Sequence, residues 1–191
     1  EAEYGPTFFD VRHNLVASAS YELPIGSGRA IGSDWNTLTD ALLGGWRVSG
    51  IFQARTGVPV TIIDGRNRSL QGERGFERPN CVGNWKPSDQ SITKWLDING
   101  FAMAPLGTFG DCPVGSARAP GYWNVDMMLG KKFNLASSAR YFEFRVEAFN
   151  LFNHPNMGPP ARDISAPNTF GLITTTIGAP RVIELVVKAY F

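Results

Sequence analysis

A chain of 191 residues with a net charge of +1 gives no argument for a nucleic-acid partner, and none is expected. Charged residues make up 18%, below the quarter or so usual in a soluble domain, while 21 glycines and 12% aromatics punctuate the apolar runs. No stretch approaches the roughly 18 uninterrupted apolar residues that a membrane helix requires. The first residues, EAEYGPTFFDVRHN, lack the basic start and apolar core of a secretory signal, so residues 1–191 are expected to be one C-terminal segment of a longer protein.

Taken in chain order, five segments alternate with a two-residue period, the signature of a strand with two unlike faces. In 14–23, Leu15, Ala17, Ala19, Tyr21 and Leu23 oppose Asn14, Ser18, Ser20 and Glu22. The following link, 24–45, contains TLTDALLGG and predicts a short helix, with Thr37 as its candidate cap and Gly44–Gly45 as its stop. In 46–55, Trp46, Val48, Gly50, Phe52 and Ala54 oppose Arg47, Ser49, Ile51, Gln53 and Arg55. Residues 56–121 are too long for a plain connection and are expected to be functional or partly structured. They hold both cysteines, Cys81 and Cys112, which predict a disulfide closing a loop of about 32 residues, worth about 3–4 kcal/mol.

Strands resume at 122–133, where Trp123, Val125, Met127 and Leu129 oppose Asn124, Asp126 and Lys132. In 140–150, Phe142, Phe144, Val146 and Ala148 oppose Tyr141, Glu143, Arg145 and Glu147. The chain ends on 181–191, where Ile183, Leu185, Val187, Ala189 and Phe191 oppose Glu184, Lys188 and Tyr190, with Val186 the one apolar residue among them. A strand of 10–11 residues tilted near 40° projects to about 25 Å, the height of the apolar band of an outer-membrane barrel. Aromatics near the strand ends (Tyr21, Trp46, Trp123, Phe133, Phe142, Phe191) sit where interfacial girdles belong. The fold expected is all-β: an antiparallel up-and-down meander of about five long transmembrane strands in the bacterial outer membrane. Alternation then makes 134–139 and 24–45 periplasmic links, and 56–121 and 151–180 long extracellular loops.

The runs DVRHNLVASASYELP (10–24), LLGGWRVSGIFQARTGVPVT (42–61), APGYWNVDMMLGKKF (119–133), FEFRVEAFNLFNHPNMG (142–158) and PNTFGLITTTIGAPRVIELVVKAYF (167–191) occur in order. Together they resemble the late barrel of TonB-dependent outer-membrane receptors, in particular the Oar-like group with a carboxypeptidase-regulatory-like domain. The resemblance implies a parent with a twenty-two-stranded barrel, a plug domain and an N-terminal TonB box that engages TonB. It implies a transporter that takes up a scarce nutrient. The plug, the box and the other strands lie outside this sequence, and five strands fall short of the roughly eight needed to close a barrel. Two open edges in lipid leave backbone groups unpaired at several kcal/mol each, so the fragment alone is not expected to be transport-competent.

Within that frame the candidate residues have distinct roles. Glu143, Arg145, Glu147, Glu184 and Lys188 are candidates to face the lumen and form an opposite-charge ladder across the last strands. Trp85, Trp95, Phe101 and Phe109 are candidate ligand-loop aromatics. Tyr190 and Phe191 resemble the signal read by the barrel-assembly machinery. Partners implied are outer-membrane lipid, the parent's plug and remaining strands, that machinery and TonB. Two histidines, His13 and His154, without GxSxG, HExxH, GxGxxG or GxxxxGK[ST], predict no enzyme. No metal site or cofactor is expected, since two cysteines without a histidine pair supply too few ligands. The alternative is a soluble all-β binding domain, a sandwich burying the apolar faces against each other.

Overall fold

The computed structural model describes residues 4–72, 77–134 and 140–191. In chain order it forms β1 (Asn14–Glu22), α1 (Thr37–Leu43), β2 (Trp46–Arg55), β3 (Pro59–Val60), β4 (Asn80–Cys81) and β5 (Phe101–Ala102). Then follow β6 (Ala117–Arg118), β7 (Tyr122–Asn134), β8 (Tyr141–Phe149), β9 (Asn156–Met157), β10 (Thr176–Ile177) and β11 (Val182–Tyr190). Two compact units result: Glu1–Asn14 with Arg55–Tyr122 and Pro155–Gly178, and Leu15–Ala54 with Trp123–His154 and Ala179–Phe191.

The second unit is a single five-stranded sheet in the order β1-β2-β7-β8-β11, so each long strand neighbours the next long strand in the chain. That is the expected antiparallel meander. Register fixes its faces: Leu129 lies opposite Val146 and Val146 opposite Leu185, while Lys132 lies opposite Glu143 and Glu143 opposite Lys188. One side therefore carries Met127, Leu129, Phe133, Phe142, Phe144, Val146, Ile183, Leu185 and Val187. The other carries Met128, Lys132, Glu143, Arg145, Glu147, Glu184 and Lys188. The apolar side is open: Leu185 is 71% and Val187 69% exposed. No second layer covers it among the described residues, so the sandwich geometry is not adopted. The expected turn at 134–139 lies, beyond Asn134, outside the described residues.

Between β1 and β2 the chain folds back on itself. Helix α1 is capped by Asn36, whose side chain accepts the Thr39 N–H at 2.9 Å, one residue before the expected Thr37. Asparagine's short side chain reaches that amide from the extended conformation of the cap, leaving Thr37 as the first helical residue. Gly44 ends the helix and Gly45 follows at φ 71°, as the double glycine implied.

The first unit is built from what alternation had assigned to long loops. Short ladders β3–β6, β4–β5 and β9–β10 brace it. The two links also bond to each other: Ile63 N–H donates to Arg162 O at 3.0 Å, Trp95 N–H to Gly171 O at 2.9 Å and Ile173 N–H to Ile92 O at 2.8 Å. Among the described residues, the buried apolar side chains all lie here, including Ile62, Leu96, Phe101, Cys112, Ile164 and Phe170. The hydrophobic core of this chain is a loop core. Among the described residues the sheet has none of its own.

Candidate functional site

On the polar face of the sheet the charges are set by strand register. Arg145 bonds its strand neighbours, Glu143 at 2.7 Å and Glu147 at 3.7 Å, along one edge of the pleat. Glu143 also lies opposite Lys132 on one side and Lys188 on the other, so a buried carboxylate has cations across both interfaces. The ladder is not of opposite charge throughout: Glu184 lies directly opposite Glu147, which like-charge repulsion disfavours. Arg145, opposite Val186, offsets that pair from within β8. On β1 and β2, Glu22 takes Arg47 at 2.6 Å and Arg29 at 3.2 Å, and Ser20 and Ser49 hydroxyls meet at 2.8 Å. A cavity of about 190 Å³ lies among Glu22, Arg47, Met128, Lys132 and Glu143. Small-molecule sites usually offer roughly 300–1,000 Å³, so this one does not enclose a nutrient-sized ligand.

Sequence periodicity missed one charge. Lys131 shares the apolar face with Leu129 and Phe133, yet is 3% exposed. Its ammonium donates to the carbonyls of Asp40 (3.2 Å) and Gly44 and stands over the rings of Trp46 (5.5 Å) and Phe133 (5.2 Å). The clue available beforehand was the pair Lys131–Lys132, which must place one lysine on each face of a strand.

In the loop unit the expected disulfide joins Cys81 and Cys112, with Cα atoms 4.9 Å apart. Beside it, Cys81 N–H donates to Asp111 Oδ1 at 2.8 Å and Asp111 N–H to Asn80 Oδ1 at 3.1 Å, tying both flanks of the bond. Gly110 passes so close to the Arg78 carbonyl that a side chain there would collide with backbone. Of the four candidate ligand-loop aromatics, three pack in or against the loop core. Phe101 is buried and meets Phe170 edge-on at 5.8 Å; Trp85 and Trp95 pack against the same core. Trp95 also donates its indole N–H to Arg118 O at 2.8 Å. Hydrophobic burial claims these rings before any ligand can. Phe109 alone of the four stays open, 69% exposed, as Leu106 and Met103 earlier in the same segment also are.

Two carboxylates organise the same unit. Buried Glu77 accepts Ser69 Oγ–H at 2.6 Å and the Arg68 N–H at 2.6 Å; burial pushes its pKa up, but these bonds and the Arg68 charge outweigh it and hold it below the ordinary value. Asp163 behaves alike: burial raises it, while bonds from Ser165 and Gly65 N–H and the Arg66 charge bring it down overall.

Neither histidine forms an ion pair among the described residues. His13 N–H donates to Thr56 Oγ1 at 3.1 Å and its carbonyl accepts the Thr56 N–H at 3.0 Å, and His154 stacks on Trp123 with ring centroids 4.2 Å apart. Asn150, at φ 50°, donates to His154 O and Ala179 O at 3.1 Å each, so the FNLFNH motif forms the turn that ends β8. At the C-terminus, Tyr190 stacks on Tyr141 with centroids 4.4 Å apart, and Phe191 meets Phe142 edge-on at 6.2 Å while remaining 88% exposed.

A one-layer antiparallel sheet with an uncovered apolar face and a charged opposite face is the wall of a membrane β-barrel. A family model described as "Outer membrane beta barrel domain" matches residues 1–184, and the chain belongs to that family. No curated protein and no solved structure matches the chain.

Proposed function

We propose that this chain is the C-terminal wall and outer loops of a TonB-dependent transporter that takes up a scarce nutrient across the outer membrane. The observation that carries the reading is the pairing of an open barrel wall with a disulfide-closed, independently cored loop unit grown from its long links. A simple pore has little use for so much ordered loop. The ordered run of motifs from 10–24 to 167–191, similar to late strands of TonB-dependent receptors of the Oar-like kind, supports TonB dependence. In this reading a longer parent supplies the plug, the TonB box and the rest of twenty-two strands. The loop unit is extracellular, and the charged face lines the lumen. Glu143, Arg145, Glu147, Glu184 and Lys188 serve there as wall charges against water or plug. Ligand is held by walls beyond this chain together with exposed loop positions such as Phe109. The chain is a conduit and carries no catalytic group.

The test is uptake by cells expressing the full-length parent, offered pooled siderophores, vitamins, glycans and peptides, with periplasmic contents read by mass spectrometry. One class should accumulate in cells with TonB and not in cells lacking it. Equal accumulation in both would reduce the protein to a passive pore.

We read Tyr190 and Phe191 as a signal for the barrel-assembly machinery, a role the exposed Phe191 ring supports. Deleting Phe191 from the parent should lower the amount of heat-modifiable barrel in membranes. An unchanged folded band would discard the signal.

A further inference from the structure

We propose that the link between β1 and β2 is a membrane anchor: helix α1 and Ile31 lie in the phospholipid interface, latched to the sheet by Lys131. Asp40 faces inward, its Oδ1 accepting the Ser27 N–H. Leu38 and Leu42, one helical turn apart, therefore share the opposite side, and they are 79% and 70% exposed. Leu43 and Ile31 are open as well. A seven-residue helix is too short to be stable by itself, and leucines turned to water would contribute nothing to folding it.

Where the helix is fastened identifies the occupant. Trp46, on the apolar face, donates its indole N–H to Leu42 O at 3.1 Å. Lys131, on the same face, holds the carbonyls of Asp40 and Gly44 at the helix's C-terminal end, where partial negative charge gathers. The exposed leucines thus continue the lipid-facing surface beyond the girdle rings Trp46 and Phe133, as an interfacial amphipathic helix does. The lysine that would be a liability on a lipid-facing strand becomes the bolt, its charge shared between carbonyls and two rings. The inference needs only a sheet that crosses a bilayer; failure of nutrient uptake leaves it standing.

The experiment places a fluorophore on Leu42→Cys in the full-length barrel, reconstituted in phosphatidylethanolamine–phosphatidylglycerol liposomes. The disulfide keeps the native cysteines out of reach, and Thr93→Cys in the loop unit is the exposed reference. Shallow doxyl-phospholipid should quench the label at 42 several-fold more than that at 93, and iodide several-fold less. Iodide quenching at 42 equal to that at 93, with no lipid quenching, overturns the anchor. Lys131→Met in the Leu42→Cys background should cut the lipid quenching while the heat-modifiable band persists. Unchanged quenching in that variant overturns the latch. If the variant does not assemble, the two labels with Lys131 intact decide the proposal by themselves.

Discussion

Glu77 shows how a buried charge can stabilise this chain. Its carboxylate is surrounded by the hydroxyl and amide of Ser69 and the amide of Arg68, donors that favour the charged form. Because its folded pKa lies below the ordinary 4.5, the unfolded chain binds the proton more readily. The stability it contributes is complete above the ordinary glutamate range and is lost as pH falls through the depressed folded value. Asp163, lowered from an ordinary 3.8, adds to the same trend. Tryptophan fluorescence of a chain in which Trp35, Trp46 and Trp123 are replaced by Phe, leaving Trp85 and Trp95 as reporters, should therefore hold steady from neutrality to about pH 5 and change below it. Glu77→Gln should make that acid transition shallower. A variant with the same acid profile as the parent would remove Glu77 from the account.

At the scale of elements, the strands were legible because their physics is local. Each needs only alternation and length, and 46–55 coincides with β2 while the others end within one residue of their expected limits. Side-chain facing followed from the same parity. The loop unit was not legible, because its bonds join residues about a hundred positions apart through backbone atoms, as Ile63 N–H to Arg162 O at 3.0 Å does. No periodic pattern announces such pairing. Trp85, Trp95 and Phe101 could not be told apart from Phe109 for the same reason: an aromatic in a loop reads identically whether it meets ligand or core. Lys131 was hidden differently, since its partners are carbonyls, which any residue supplies. The disulfide was readable from count and compartment. Reducing it, or making Cys81→Ser with Cys112→Ser, should destabilise the loop unit by about 3–4 kcal/mol. Proteolysis should then cut within 56–121 while the barrel band stays intact. Equal protease resistance with and without reductant would deny the bond that role.

The whole molecule divides its labour by solvent. One unit hides its apolar residues from water in the ordinary way, around Ile62, Leu96, Phe101 and Phe170. The other leaves Ile183, Leu185 and Val187 uncovered. Water does not tolerate a continuous apolar sheet face, and lipid requires one. Both kinds of chemistry come from one chain.

Spin labels placed singly along 183–188 of the full-length barrel in a bilayer give the most direct test of this division. Relaxation by oxygen, which concentrates in lipid, should peak at 183, 185 and 187; relaxation by a water-soluble nickel chelate should peak at 184, 186 and 188. The barrel wall requires those hydrocarbon-rich flanks to find fatty acyl neighbours. If labels at the odd positions were sealed from both reagents, or favoured nickel, the flanks would be packed inside protein and the barrel-wall account would be wrong.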